Sequence, residues 1–157
     1  EFSDETIFKG SNFILVPTQK NKKETIEAVK DLATKMEFGR ICTLSIEEHD
    51  KMIGFLSQLT HVIAVSLMNT HDNAHLVEYT GDSFRDLTRI AKINEDLWTE
   101  LFIMNKDILL DEINQFIDSI SHFRDSLEQE DTQEMKRLFI QSTKRRDKFN
   151  KTDAKKR

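Results

Sequence analysis

The chain has few of the residues that build turns and covalent cross-links. Its 157 residues include four glycines, one proline and one cysteine. Such a shortage of glycine and proline excludes a turn-rich all-β fold. The lone cysteine, Cys42, excludes an internal disulfide framework and fits a reducing compartment. Because no secretory signal is visible at the N-terminus either, we expect a cytoplasmic protein.

Several kinds of binding site are missing as well. The glycines stand far apart, at positions 10, 39, 54 and 81, so no dinucleotide or phosphate-binding fingerprint exists. His71 and His75 have a spacing that can bind a transition metal on a helix, but a third ligand is lacking, and we expect no metal site. No unbroken apolar run is long enough to cross a bilayer, so we expect no membrane partner.

Charge is distributed unevenly along the chain. The net charge is −5, yet the segment from Lys144 to Arg157 holds eight basic and two acidic residues and carries +6, which leaves −11 for the rest. An acidic body argues against nucleic acid as a partner. The basic end is typical of a solvated helix terminus, and weak phosphate binding is the alternative.

The first part of the chain predicts a strand, a helix and a second strand. Asn12 to Thr18 (NFILVPT) is a short apolar run stopped by proline, and Ile41 to Leu44 (ICTL) is a second one. Between them, Lys22 to Met36 has apolar residues at helical spacing, and Gly39 is a plausible helix stop. The two strands of such a unit lie parallel, and a parallel sheet needs more strands. We therefore expect residues 1–45 to be the remnant of a larger α/β domain.

The remainder of the chain predicts helices. Ser45 to Glu48 has the sequence of a capping box, and the helix that follows has apolar residues on nearly every side as far as Asn69. From Asp107 to Leu127 apolar residues recur at spacings of three and four, a stripe wide enough to pack against two neighbours. Because the stripe is long for a small bundle, we expect another subunit to cover part of it. We predict a mainly α protein, with a helical domain at residues 46–150 and a basic tail at 151–157.

Residues 81–98 (GDSFRDLTRIAKINEDLW) place Arg89 beside a predicted apolar stripe. A guanidinium partly withdrawn from water needs a carboxylate partner. Asp86, one turn earlier, is either that partner or holds Arg89 ready for a carboxylate on a ligand. An exposed ion pair of this spacing is worth only about 0.2–0.5 kcal/mol, whereas a buried contact to a ligand carboxylate is worth about 1.5–3 kcal/mol. The larger value favours the ligand.

His61 and Trp98 each allow two interpretations. His61 shares a helix face with Ser57, and it is either a core histidine bonded to a backbone carbonyl or a hydrogen-bond donor that lines a ligand cleft. Trp98, the only tryptophan, belongs in the core by default. His49 with Asp50 is most simply a surface pair.

Three segments resemble a known family. Residues 47–69 (EEHDKMIGFLSQLTHVIAVSLMN) and then residues 81–98 resemble the C-terminal helical domain of the prephenate and arogenate dehydrogenases. Residues 7–18 (IFKGSNFILVPT) are similar to the end of that family's nucleotide-binding domain. The resemblance implies that residues 1–45 are a remnant of a Rossmann-type domain and that the helical domain serves dimerisation and substrate binding.

The activity that the resemblance implies belongs to tyrosine biosynthesis. Prephenate dehydrogenases use NAD or NADP to decarboxylate prephenate oxidatively to 4-hydroxyphenylpyruvate, and they are homodimers. The family's cofactor loop and catalytic histidine precede the matching segment. We therefore expect no catalytic and no cofactor-binding residue in this chain, and no activity from it alone.

The resemblance also assigns substrate-binding roles by position. Arg89 matches the arginine that binds a substrate carboxylate, and Asp86 matches its acidic neighbour. His61 matches the histidine that ends the family's S-H-L-P-H pattern in the substrate cleft. Trp98 matches an aromatic residue that approaches the partner subunit's site in some members, and Gly81 falls in a glycine-containing turn near the substrate.

The chain departs from the S-H-L-P-H pattern at two positions. Gln58 replaces the first histidine, which removes one possible donor, and Thr60 replaces the proline. Neither change touches Arg89. Two alternatives stay open, an arogenate dehydrogenase and a non-enzymatic helical interaction module that uses the basic tail as its contact.

Overall fold

The computed structural model describes Asp4, residues 6–72 and residues 74–149, so the expected basic tail at 151–157 lies outside the described residues. Two compact units are present, residues 1–112 and residues 113–157. In chain order the elements are β1 (Asn12–Leu15), α1 (Lys23–Lys35), β2 (Arg40–Thr43), α2 (Ile46–Ile53), a π-helical segment (Gly54–Leu59), α3 (Thr60–Asn69), a 3₁₀ segment (Ala74–Tyr79), α4 (Asp82–Thr88), a 3₁₀ turn (Arg89–Ala91), α5 (Glu95–Met104), α6 (Lys106–Glu128) and α7 (Thr132–Asp147).

The strand–helix–strand unit has the predicted form. In the described part of the chain β1 and β2 make a two-stranded parallel sheet, with Phe13 opposite Ile41. α1 connects the strands and buries Ala33. Phe38 then packs edge-on against Phe13, with 4.8 Å between the ring centroids. The predicted fold class, mainly α with a short strand–helix–strand remnant, is confirmed, while the domain boundaries at 45 and 150 stay predictions.

Gly39 does not end α1 in the way that its position predicts. The helix ends at Lys35, and Glu37 takes the left-handed conformation, with φ of 60°. Glu37 and the next residue donate their N–H groups to carbonyls in the last turn of α1, which is the pattern of a Schellman cap. Gly39 is needed instead for a close approach, because a Cβ there would lie 2.8 Å from the Cα of Gly10.

A continuous helical stretch runs from Ile46 to Asn69. Its start is the predicted capping box, in which the Glu48 N–H donates to the Ser45 hydroxyl over 3.2 Å and the Ser45 N–H donates to the Glu48 carboxylate over 2.8 Å. The bond from the Ser45 N–H is the largest reason that the pKa of Glu48 is lowered. Local sequence chemistry therefore sets where this helix begins.

The same stretch corrects one expectation. By length and composition Ile46–Asn69 is long and apolar enough to cross a membrane, contrary to the expectation from unbroken apolar runs. The segment contains no long unbroken run, because uncharged polar residues such as Ser57 and Gln58 interrupt the apolar ones. This property is weak evidence for a membrane, since the core helix of a water-soluble protein has it too.

The segment around Arg89 is not one helix. α4 ends at Thr88, a 3₁₀ turn follows, and α5 begins after Asn94. The Asn94 side chain accepts a hydrogen bond from the Leu97 N–H over 2.9 Å, so it caps a new helix. The predicted apolar stripe is therefore split, and Leu87 and Leu97 are 53% and 52% exposed.

Few hydrophobic side chains are fully buried in the described part of the chain. Among the described residues, the buried hydrophobic side chains are Ala33, Leu59, Ala64 and Leu109. Large apolar side chains are usually the most buried ones in a folded protein. Here many remain open to solvent, so the apolar faces of these helices lack cover.

In the second unit, an ion-pair cluster links α6 and α7. Asp131 caps α7 by accepting from the Glu134 N–H over 2.9 Å. The Glu134 carboxylate then accepts from Arg137 Nε over 2.6 Å and lies 2.7 Å from His122 Nε2 on α6. Arg137 first, and then His122, lowers the pKa of Glu134 to about 2.

Acid should weaken this cluster. The folded-state pKa of Glu134, about 2, lies below its ordinary value of 4.5, so its stabilising contribution is complete above that ordinary value and is lost as the pH falls through the folded-state value. We expect Glu134→Gln to lower the urea midpoint at neutral pH and to lose its effect near pH 2, as followed by circular dichroism. Glu128→Gln, which changes an exposed carboxylate at the end of α6, is the control. If the urea midpoints of Glu134→Gln and the parent differ by the same amount at every pH, the ionised Glu134 carboxylate is not the source of the stabilisation.

Candidate functional site

The π-helical segment places polar side chains inside the first unit. It spans Gly54–Leu59, between α2 and α3, and π-helical turns are frequent at functional sites. Gly54 is buried, and a Cβ at this position would lie 2.8 Å from Cγ2 of Ile108. The lack of a side chain at Gly54 therefore lets α6 approach the segment closely.

Gln58 is the buried polar centre of this region. Its side chain is 3% exposed, yet both ends of the amide have partners. Nε2 donates to the Leu101 carbonyl over 3.0 Å, and Oε1 accepts from Asn105 Nδ2 over 2.8 Å. Asn105 Nδ2 also donates to the Asp50 carbonyl over 3.1 Å. These bonds join the end of α2, the π-helical segment and the end of α5.

His61 and Trp98 are brought into direct contact. Their rings stack with 3.7 Å between centroids and 30° between planes, and both residues are half-buried. Trp98 also meets Phe102 edge-on, with 5.6 Å between ring centroids. Two residues that are far apart in the sequence therefore form one aromatic surface on the first unit.

The hydrogen bonding of His61 determines which of its ring nitrogens can donate and which can accept. Nδ1 lies 2.8 Å from the carbonyl oxygen of Ser57, and because a carbonyl only accepts, Nδ1 carries the hydrogen. Nε2 of the neutral ring is then an acceptor, and it donates only when the ring is protonated. The backbone bond expected of a core histidine is present, but the half-buried ring remains accessible.

Arg89 and Asp86 are not paired. Both side chains are exposed, and no ion pair joins them among the described residues. The partial burial expected for Arg89 is absent from this chain because the helix ends at Thr88 and the apolar stripe is split. The 3₁₀ turn Arg89–Ala91 nevertheless packs against α3, the helix that carries His61.

Gly81 lies at a separate groove of the first unit. It is the N-cap of α4 and is exposed. The groove has a volume of about 640 Å³ and a mostly apolar wall that includes Met68 and Phe84. His71 and Asp72 supply polar groups at its edge. In the described ranges no group of three or more His, Cys, Asp or Glu side chains is arranged to hold a metal ion.

Sequence reasoning missed the role of Gln58 and Asn105. In the sequence Gln58 stands out only as a departure from a family pattern, although an amide on so apolar a helix signals a need for partners. Asn105 gives no such signal, because an asparagine near a helix end is common. His49 and Asp50 do pair over 2.9 Å, as expected, but both are half-buried.

Most of this chain is similar in sequence to known proteins. Residues 45–141 match the family described as "Prephenate dehydrogenase, dimerization domain". The prephenate dehydrogenase of Bacillus subtilis is 34% identical over 86% of this chain and 38% of its own length. The cyclohexadienyl dehydrogenase of Zymomonas mobilis is 28% identical over 89% of this chain and 50% of its own length. The chain thus spans half or less of these relatives.

Solved structures agree with this relationship. The prephenate dehydrogenase of Aquifex aeolicus, in complex with hydroxyphenyl propionate and NAD+, superposes with a TM-score of 0.81 at 28% identity, over 92% of this chain and 52% of that one. The Synechocystis arogenate dehydrogenase superposes with a TM-score of 0.78 at 18% identity, over 92% and 54%, which shows a shared fold. Because the family match spans more than half of its residues, the chain belongs to the prephenate dehydrogenase dimerization-domain family.

Proposed function

We propose that this chain is the dimerisation and substrate-binding part of an NAD- or NADP-dependent prephenate dehydrogenase. The observation that carries the proposal is the family match over residues 45–141, which includes the stacked His61 and Trp98 and the exposed Arg89. In the proposed reaction a hydride passes from prephenate to the nicotinamide, the hydroxyl proton passes to a histidine of the nucleotide-binding domain, and carbon dioxide leaves as the ring becomes aromatic. We expect no turnover from the 157-residue chain alone.

Each candidate residue has a defined part in this proposal. Arg89 binds a substrate carboxylate, for which its guanidinium is suited because it presents a fork of N–H donors. Asp86 sets the local charge beside it. His61 offers Nε2 to the ligand, while Trp98 holds the imidazole ring by stacking. Gly81 forms the turn that leads into α4.

Removal of the Arg89 guanidinium tests the substrate-binding role. In the enzyme that combines this chain with its nucleotide-binding domain, we expect Arg89→Ala to raise KM for prephenate about 10- to 100-fold, as expected for the loss of a charge-assisted hydrogen bond. The fold should be unaffected, because the side chain is exposed. Steady-state kinetics and far-UV circular dichroism measure the two effects.

Two variants accompany this experiment. Arg89→Lys keeps the charge but loses the fork, so its KM should lie between those of the parent and Arg89→Ala. Lys92→Ala removes an exposed cation from the same segment and should leave KM unchanged. An Arg89→Ala enzyme with the KM of its parent would remove Arg89 from the site.

A second candidate is a dehydrogenase that accepts arogenate. The 28% identity to a protein named a cyclohexadienyl dehydrogenase is compatible with it, because arogenate and prephenate both contain a cyclohexadiene ring. Arogenate carries an amino group where prephenate has a keto group, so the same enzyme assayed with both substrates separates the candidates. We expect kcat/KM to be higher with prephenate, and a preference for arogenate would replace the first proposal with the second.

The homodimer is the other half of the proposal. On α6 of the second unit Ile117, Ile120 and Leu127 are 52%, 54% and 57% exposed, and they follow the heptad spacing of a helix seam. An apolar seam without cover is typical of a protein interface. We infer that a second copy of the chain covers it.

Charge placed on this seam should break the dimer. We expect the parent to sediment as a dimer and Ile117→Asp to shift it toward monomer, because an ionised carboxylate is costly to bury without a partner. Asn114→Asp adds the same charge at another exposed position of α6 and serves as the control. A parent that sediments as a monomer at all concentrations would overturn the interface.

A further inference from the structure

We propose that Gln58 and Asn105 are positioning residues that hold the stacked His61 and Trp98 in place for the substrate. The inference rests on the proposed function for its substrate, but its structural part concerns the two rings alone. Gln58 and Asn105 have no ligand contact in this proposal, because their side-chain bonds go to other protein groups. Their hydrogen bonds join α5 to the π-helical segment, and the positions of these two elements determine where the two rings lie.

The amide of Gln58 fixes α5 at one register. A buried amide without partners is costly, so Gln58 is stable only where both ends are bonded. Leu101 is among the last four residues of α5, whose carbonyls have no partner within the helix. Gln58 Nε2 supplies the donor for this carbonyl, and the Asn105 side chain satisfies Gln58 Oε1. Moving α5 by one residue would break both bonds.

The positions of both aromatic rings depend on the hydrogen bonds of Gln58. Trp98 lies three residues before Leu101, which is one helical turn away on neighbouring positions of α5. Ser57, the residue before Gln58, provides the carbonyl that holds His61 Nδ1 at 2.8 Å. The Gln58 bonds therefore set Trp98 through α5 and His61 through the π-helical segment. The ring separation of 3.7 Å depends on both.

Fluorescence of Trp98 tests the structural part on the 157-residue chain. Trp98 is the only tryptophan, and an imidazole stacked on an indole changes its emission. Gln58→Met keeps the length of the side chain and removes the amide, so we expect its emission to move toward that of His61→Ala, which defines the unstacked state. Gln115→Met, at an exposed position of α6, should keep the parent emission.

A double variant separates positioning from general stability. Gln58→Met combined with Asn105→Leu replaces both side-chain amides with apolar groups, so it should recover part of the thermal stability that Gln58→Met loses, although the Leu101 and Asp50 carbonyls then lack their side-chain donors. Recovery of the melting temperature without recovery of the Trp98 emission supports positioning. Recovery of both means that the pair is only structural, and this result overturns the proposal.

Kinetics of the enzyme that combines this chain with its nucleotide-binding domain test the functional part. We expect Gln58→Met to raise KM for prephenate about tenfold and to change kcat less, because a small misplacement of a binding group weakens substrate contacts. If His61→Ala raises KM and Gln58→Met does not, the positioning proposal fails. If His61→Ala leaves KM unchanged, the proposed role of His61 in substrate binding fails, and Trp98 emission still decides whether the pair holds the rings. An unchanged emission in Gln58→Met overturns the structural part.

Discussion

The hydrogen-bonding demand of one buried amide sets the arrangement of the first unit. Gln58 is almost fully withdrawn from water, so both of its ends must be bonded. The Leu101 carbonyl and the Asn105 side chain meet that demand at the end of α5. Each unmet bond would cost about 1–3 kcal/mol, and apolar contacts tolerate small shifts much better. The Gln58–Asn105 pair therefore specifies the register of α5 against the π-helical segment, which apolar contacts alone would not specify.

Features that depend on neighbouring residues were predictable from the sequence, and features that depend on distant ones were not. The capping box at Ser45 follows from local chemistry and forms as predicted, and Asp131 caps α7 by a contact of the same local kind. Asn105 reaches Gln58 from 47 positions away, and no periodic pattern encodes that contact. The start of α5 has a local signal, because Asn94 followed by two acidic residues is a typical helix start. The apolar period by itself does not show the break between Thr88 and this new helix.

Periodicity also predicts which side chains need cover without saying what covers them. The stripe along α6 was expected to be wide enough for a second neighbour, and Ile117 and Ile120 are indeed exposed within the second unit. In the first unit, Leu87 and Leu97 stay exposed beside the turn that carries Arg89. Full burial of such a side chain is worth about 1.5–3 kcal/mol, and because these side chains are already about half buried, a matching surface adds about half of that value for each one. A family of dimerization domains provides a physical reason for this excess of apolar surface.

Electrostatics limits how such a chain can bind an anion. Prephenate has two carboxylates, and the chain is itself negative, with a net charge of −5. Binding therefore needs a cation that is not already neutralised. Arg85 has Asp82 at 4.0 Å, whereas Arg89 has no ion pair among the described residues. His61 donates its Nδ1 hydrogen to the Ser57 carbonyl, so in the neutral ring Nε2 is an acceptor and the ring carries no charge. In the proposed function, then, Arg89 supplies the permanent positive charge that binds a substrate carboxylate, and His61 supplies a directional hydrogen bond.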